Sequence, residues 1–119
     1  MQNSPKNLYK KLLGLKGEKL AEKALKNQGY KILFTNYVTP FGEADIVCKN
    51  GDTIVFAEVK TRSSNKFGTP AEAVGYKKQN KYRDIANYYL KSNGLDEVEI
   101  SFVVVEILGD SVNIITDAF

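Results

Sequence analysis

The side chains best suited to chemistry in this sequence are Asp45, Glu58 and Lys60. Glu58 and Lys60 stand one residue apart in Asp52–Arg62, a run whose apolar and β-branched content predicts a strand. Alternation turns both to one face, while Ala57, Val59 and Thr61 take the other. Asp45 lies in a second such run, Glu43–Lys49, joined to the first through Asn50–Gly51. An Asn-Gly pair between strand-like runs predicts a type I′ hairpin, which needs positive φ at both central residues. With those two residues as the loop, Cys48 faces Thr53, Asp45 faces Phe56 and Glu43 faces Glu58. Glu43, Asp45, Glu58 and Lys60 then share a face, with Asp45 and Glu58 as diagonal neighbours about 7–8 Å apart at the backbone.

Carboxylates gathered on one sheet face repel and require compensation. Lys60 supplies one positive charge. A Mg²⁺ ion would supply two more, taking oxygen ligands and keeping several waters. Such an ion lowers the pKa of a bound water and neutralises charge growing on a phosphodiester. Lys60 could orient or deprotonate the attacking water, or stabilise the pentavalent phosphorus. A bare Glu-x-Lys is otherwise an ordinary solvated pattern. Its place in an apolar strand, with Asp45 in register, raises it above that.

The 119 residues include no histidine. This removes Ser–His and Cys–His nucleophilic machinery, histidine bases and most zinc sites. No phosphate loop or dinucleotide-binding glycine fingerprint is present. Catalysis must run on carboxylates, lysines, hydroxyls and a hard metal. The lone Cys48 sits in an apolar strand and reads as core. No apolar run is long enough to span a bilayer and no signal peptide opens the chain, so a cytoplasmic address is expected. The formal charge of +3 is unevenly placed: residues 95–119 carry six acids and no base, leaving 17 basic and eight acidic residues before them, a formal +9. A basic body suits a phosphate-bearing partner, although a lysine-rich solvated surface has the same composition.

The chain length suits one domain over 1–119. Ser4–Pro5 opens a helix whose apolar spacing is interrupted at Gly14 and Gly17, where the helix is expected to break and restart before ending at Gly29. Tyr30–Val38 reads as a strand, followed by the hairpin and a polar loop over 63–68. Thr69–Glu72 is a capping box with proline at the first helical position, and the next helix runs to about Ser92, stopped by Asn93–Gly94. Strands Glu97–Leu108 and Ser111–Thr116 flank a Gly109–Asp110 turn. The order is α-β-β-β-α-β-β.

At 100° per residue, Ala71, Gly75, Lys78, Tyr82, Ile85, Ala86 and Tyr89 form one stripe of the second helix, with Gln79 at its edge. Lys78 and Gln79 interrupt the core-facing side. Either the lysine stem snorkels, or these polar tips reach the site or a phosphate. Glu18, beside the Leu20–Ala21–Leu25 stripe, is a further carboxylate for the site or an ordinary helix-edge acid.

Gly17–Glu18, Gly42–Asp45, the Phe-Ala-Glu-Val-Lys-Thr-Arg string of Phe56–Arg62, Phe67–Gly68 and Lys78–Gln79 together resemble the bacterial YraN family, also called UPF0102, from about Leu13 to Val104. Members are regarded as endonucleases of the PD-(D/E)xK restriction-endonuclease-like superfamily, related to archaeal Holliday junction resolvases. Ala44 and Ala57 replace bulkier apolar residues frequent in that pattern, and the charged set is complete. The resemblance implies an α/β (α+β) fold with an αβββαβ core, a central mixed sheet flanked by helices. It implies Mg²⁺ or Mn²⁺ on Asp45 and Glu58, Lys60 as the catalytic lysine, and Glu18 in the place of the first-helix acid. The expected activity is endonucleolytic cleavage of DNA, branched or structured DNA included. In that assignment Glu43 is a partner acid to the metal ligands, a main-chain carbonyl near Val59 completes the metal shell, and Arg62, Lys78 and Gln79 hold phosphates. A resolvase also requires a C₂ homodimer. The competing expectation is a nucleic-acid-binding module of the same fold without turnover.

Overall fold

A computed structural model of the chain describes the backbone of residues 5–62 and 75–116 and the side chains of 16–61 and 75–116. The elements are α1 (Pro5–Asn27), β1 (Lys31–Thr39), β2 (Gly42–Asn50), β3 (Thr53–Arg62), α2 (Tyr76–Ser92), β4 (Ile100–Leu108) and β5 (Ser111–Ile115). One mixed sheet runs in the order β1-β2-β3-β4-β5. Its pairs are antiparallel except β3 with β4, which are parallel because α2 carries the chain back across the sheet. This is the α+β arrangement of a restriction-endonuclease-like core. Among the described residues no helix is long and apolar enough to cross a membrane.

Alternation gives the sheet two apolar faces. Ala21 and Leu25 of α1 pack on one, against Ile46, Cys48, Val55, Ala57, Val103, Val105 and Ile107. Tyr82, Ile85, Ala86 and Tyr89 of α2 pack on the other, against Ala44, Val47, Ile54 and Phe56. The buried positions of α2 therefore all lie on the predicted stripe, whose Lys78 is half-buried and Gly75 exposed. Cys48 is fully buried as expected, and burial pushes its thiol up to about 12.

Both helices end where expected. Tyr30 N–H bonds back to Leu25 C=O at 3.0 Å, with Gly29 at φ 92 providing the left-handed step. Leu95 N–H likewise reaches Leu90 C=O at 2.9 Å beyond Asn93–Gly94. α2 begins at Tyr76, later than predicted: Gly75, at φ −72 and ψ 168, is its extended N-cap, so no continuous helix runs from the predicted capping box, which itself lies outside the described residues. β4 begins at Ile100 rather than at Glu97, whose φ of 55 interrupts an extended chain.

Two further expectations are corrected. α1 runs unbroken through Gly14 and Gly17. Gly17 is a packing position: a Cβ there would lie inside contact distance of Thr61 Oγ1 on β3. Gly17→Ala is therefore expected to cost about 1–3 kcal/mol through overpacking. Thr61→Ala should recover part of this in a double-mutant cycle read by urea denaturation; strictly additive effects would refute the contact.

The hairpin register is the second correction. Asn50 pairs with Thr53, Cys48 with Val55 and Ile46 with Ala57, so the loop residues are Gly51 and Asp52. Only the first of these has positive φ, as a type II′ turn requires. A one-residue slip would have exchanged the faces; this shift of two residues leaves them unchanged. It does remove the predicted Glu43–Glu58 opposition.

Candidate active site

Asp45 sits where the sheet loses its regularity. Ala44 packs on the α2 side and Ile46 on the α1 side, so strict alternation fails between them. Asn36, on the neighbouring strand between the Thr35–Ile46 and Tyr37–Ala44 pairs, has φ 50. The described β2–β3 pairing ends at Ile46–Ala57. Beyond that point the Asp45 side chain continues the connection: its Oδ2 accepts the Val59 N–H at 2.8 Å. Irregularities of this kind re-aim side chains beside functional sites.

Glu58 is the buried acid of the set, 4% exposed. Its Oε2 accepts a hydrogen bond from the Tyr82 hydroxyl. Its Oε1 meets two ammonium groups: Lys78 Nζ in direct contact and Lys60 Nζ at 3.6 Å. The Tyr82 oxygen also lies 3.5 Å from Ala57 O and Asp45 N, so one phenol bridges both acidic strands. A buried carboxylate requires such compensation, because an unpaired charge in this environment is strongly disfavoured.

The electrostatics follow from this crowding. Burial, then the Glu58 charge, pushes Asp45 up to about 6; Glu18 adds to the rise, while the Val59 N–H and Lys78 oppose it. Burial and repulsion by Lys78 hold Lys60 below the usual ammonium range, against the pull of Glu58. Burial also lowers Lys78, but its hydrogen bond to Glu58 and the Glu58 charge outweigh that effect, and its net shift is upward. Burial and the charges of Glu58 and Asp45 raise Tyr82, so the phenol remains a neutral donor.

The fold thus brings Asp45, Glu58, Lys60 and Lys78 together, with Glu18 half-buried on α1 and within electrostatic range of Asp45. The close approach at Gly17 is what brings that turn of α1 near β3. Among the described residues no three acidic or cysteine side chains gather at metal-ligating spacing. The set is therefore a carboxylate pair with a third acid farther out. Mg²⁺ commonly takes one or two carboxylates and completes its shell with waters and substrate phosphates, so two hard oxygen donors suit it in kind. The upward shift of Asp45 marks an acid that burial, and then the neighbouring Glu58 charge, make costly to ionise.

The remaining expected residues are Glu43, Val59, Gln79 and Arg62. Glu43 is exposed and pairs across to Val38. Val59 supplies its N–H to Asp45. Gln79 is half-buried next to Lys78. The Arg62 side chain lies outside the described residues. Tyr82, read from the sequence as a core position, is the residue that sequence reasoning missed. The available signal was a hydroxyl on the same helical stripe as Lys78, four residues on.

A model described as "Uncharacterised protein family UPF0102" matches residues 17–107, the stretch holding every residue of this site. A UPF0102 protein of Alkaliphilus oremlandii is 54% identical over 99 residues, covering 82% of this chain and 85% of its own. One from Syntrophomonas wolfei is 49% identical over 111 residues, covering 90% and 96%. Another, from Thermodesulfovibrio yellowstonii, is 47% identical over 107 residues, covering 90% and 95%.

Proposed function

Because the chain belongs to the UPF0102 family and carries an acid pair hemmed in by ammonium groups, we propose that it is a divalent-metal-dependent endonuclease hydrolysing phosphodiester bonds in DNA, branched or structured DNA included, in the cytoplasm. The observation that carries this reading is Glu58, buried yet charged-partnered, beside an Asp45 that the fold makes costly to ionise. Structural carboxylates are usually stabilised in ionised form. An Asp45 that burial and Glu58 make costly to ionise is instead suited to a divalent cation.

Asp45 and Glu58 would hold Mg²⁺ or Mn²⁺, which when bound activates a water and neutralises charge on the phosphate. Glu18 is an outer acid. Lys60 stands beside Glu58 with its ammonium form weakened, suited to orienting the attacking water or taking its proton. Lys78, Gln79 and Arg62 would hold the phosphate backbone in this reading. Symmetric cutting of a junction would need a C₂ homodimer.

The test is cleavage of linear, flapped and four-way DNA with Mg²⁺ or Mn²⁺. Chelation should abolish it, and Asp45→Ala, Glu58→Ala and Lys60→Ala should each lower it by about 10²-fold or more. Undiminished cleavage in all three variants would reject the assignment. One observation favours a second reading, a DNA-binding module without turnover: Glu58 already has Lys78, Lys60 and Tyr82 as partners. That reading predicts salt-sensitive binding that survives chelation, with no substrate cut.

A further inference from the structure

Glu58 presents its two oxygens unequally. Oε2 is committed to the Tyr82 hydroxyl, on a side chain that is fully buried. Oε1 is the oxygen facing cations, with Lys78 in direct contact and Lys60 farther out at 3.6 Å. The Lys78 stem leaves α2 on the exposed first turn, and its side chain is 36% exposed. It is therefore held at one end by the carboxylate and open to solvent along its flank. Two monovalent ammonium groups and a divalent ion cannot all crowd the same oxygen without repulsion.

We propose that Lys78 is a positioning residue that occupies Glu58 Oε1 as a resident counter-ion and competes there with the metal, so that metal binding releases its ammonium to the DNA phosphate. The inference rests on the proposed function, since it takes Glu58 as a metal ligand. Tyr82 keeps the competition to one oxygen by holding the other. Thermodynamic reciprocity then couples the two ligands: whatever draws Lys78 away from Glu58, including a phosphate, strengthens metal binding, and metal strengthens the lysine's grip on DNA. The structure at hand is the state in which the lysine sits on the carboxylate.

The test uses the full chain, freed of metal by chelation and titrated with Mn²⁺ alone, by calorimetry and by thermal shift. Methionine keeps the length and apolar stem of Lys78 at a partly exposed position, so Lys78→Met should fold, which circular dichroism checks. It should bind Mn²⁺ about tenfold more tightly than wild type, and Lys60→Met should gain less because that ammonium is farther from Oε1. Lys78→Arg, which keeps the charge, should remain near wild type. A second measurement follows a four-way DNA by fluorescence anisotropy. Lys78→Met should lose affinity mainly in Ca²⁺ and little in chelator, where the wild-type lysine is engaged with Glu58. Wild type binding Mn²⁺ while Lys78→Met binds it equally or more weakly would overturn the competition and leave the nuclease reading standing. Wild type binding no Mn²⁺, indistinguishable from Glu58→Gln, would overturn both.

Discussion

Glu58→Gln is expected to lower metal-dependent DNA cleavage by about 10³-fold while leaving the protein folded. Glutamine matches glutamate in size, and its carbonyl oxygen can still accept the Tyr82 hydroxyl, so the buried position stays filled and hydrogen-bonded. What is lost is charge. Lys78 and Lys60 then confront a neutral amide, and the divalent ion of the proposed mechanism would lose one of its two carboxylates. Glu58→Ala removes the same charge and in addition leaves the Tyr82 hydroxyl without this acceptor in the core. It should be similarly inactive and less stable by about 1–3 kcal/mol. Comparing turnover and urea midpoints of the two variants separates the roles. Equal instability of Gln and Ala, or cleavage by Glu58→Gln within tenfold of wild type, would show that Glu58 is a structural acid.

The second large effect concerns pH. Asp45 ionises near 3.8 in a free chain and at about 6 in the fold. A carboxyl raised on folding favours the native state in its protonated form. Its contribution is fully present below pH 3.8 and is lost as pH rises through about 6. The metal-free protein should therefore lose stability over that interval, by about 2 kcal/mol after allowance for partial exposure, or roughly 5–8 °C in melting temperature. Asp45→Asn keeps an oxygen to accept the Val59 N–H but does not titrate. In chelator it should melt above wild type at neutral pH and lose the advantage toward pH 4. Added Mg²⁺ should raise the wild-type melting temperature above pH 6 and have little effect well below it, because the ion requires the ionised acid. Melting curves of both proteins across pH, with and without Mg²⁺, decide this. Parallel wild-type and Asp45→Asn profiles would dismiss it.

These residues also mark how far the fold and site are legible in sequence. Gly29 and Asn93–Gly94 punctuate the helices because their conformational freedom is local chemistry. Asn50–Gly51–Asp52 signals a hairpin, but a loop of Asn50–Gly51 and one of Gly51–Asp52 both make use of a left-handed glycine, so local composition does not choose between registers. Glu58 and Lys60 lie on one strand, so alternation places them on one face whichever partners the hairpin register gives them. Gly14 and Gly17 mislead for a different reason. A helical glycine costs roughly 1 kcal/mol, an amount that tertiary burial readily overrides, and only the Thr61 contact explains what Gly17 does. The release of Asp45 from the ladder coincides with a left-handed Asn36 on another strand. The role of Tyr82 depends on a neighbour 24 positions away. Neither is encoded in the local pattern around the acid it serves.

The irregularity opposite Asp45 also protects the molecule from its own kind. β1 borders the sheet and leaves much of Phe34 and Val38 exposed, the latter 71%. A long, straight border of this character offers a template onto which another chain can add, the first step toward cross-β growth. Here the strand slips register between Ile32 and Phe34 and then turns left-handed at Asn36, so its free amides and carbonyls never form an even row. The uneven border and the aim of one acid are thus tied to the same few residues, and a substitution that straightened this border would put both at risk.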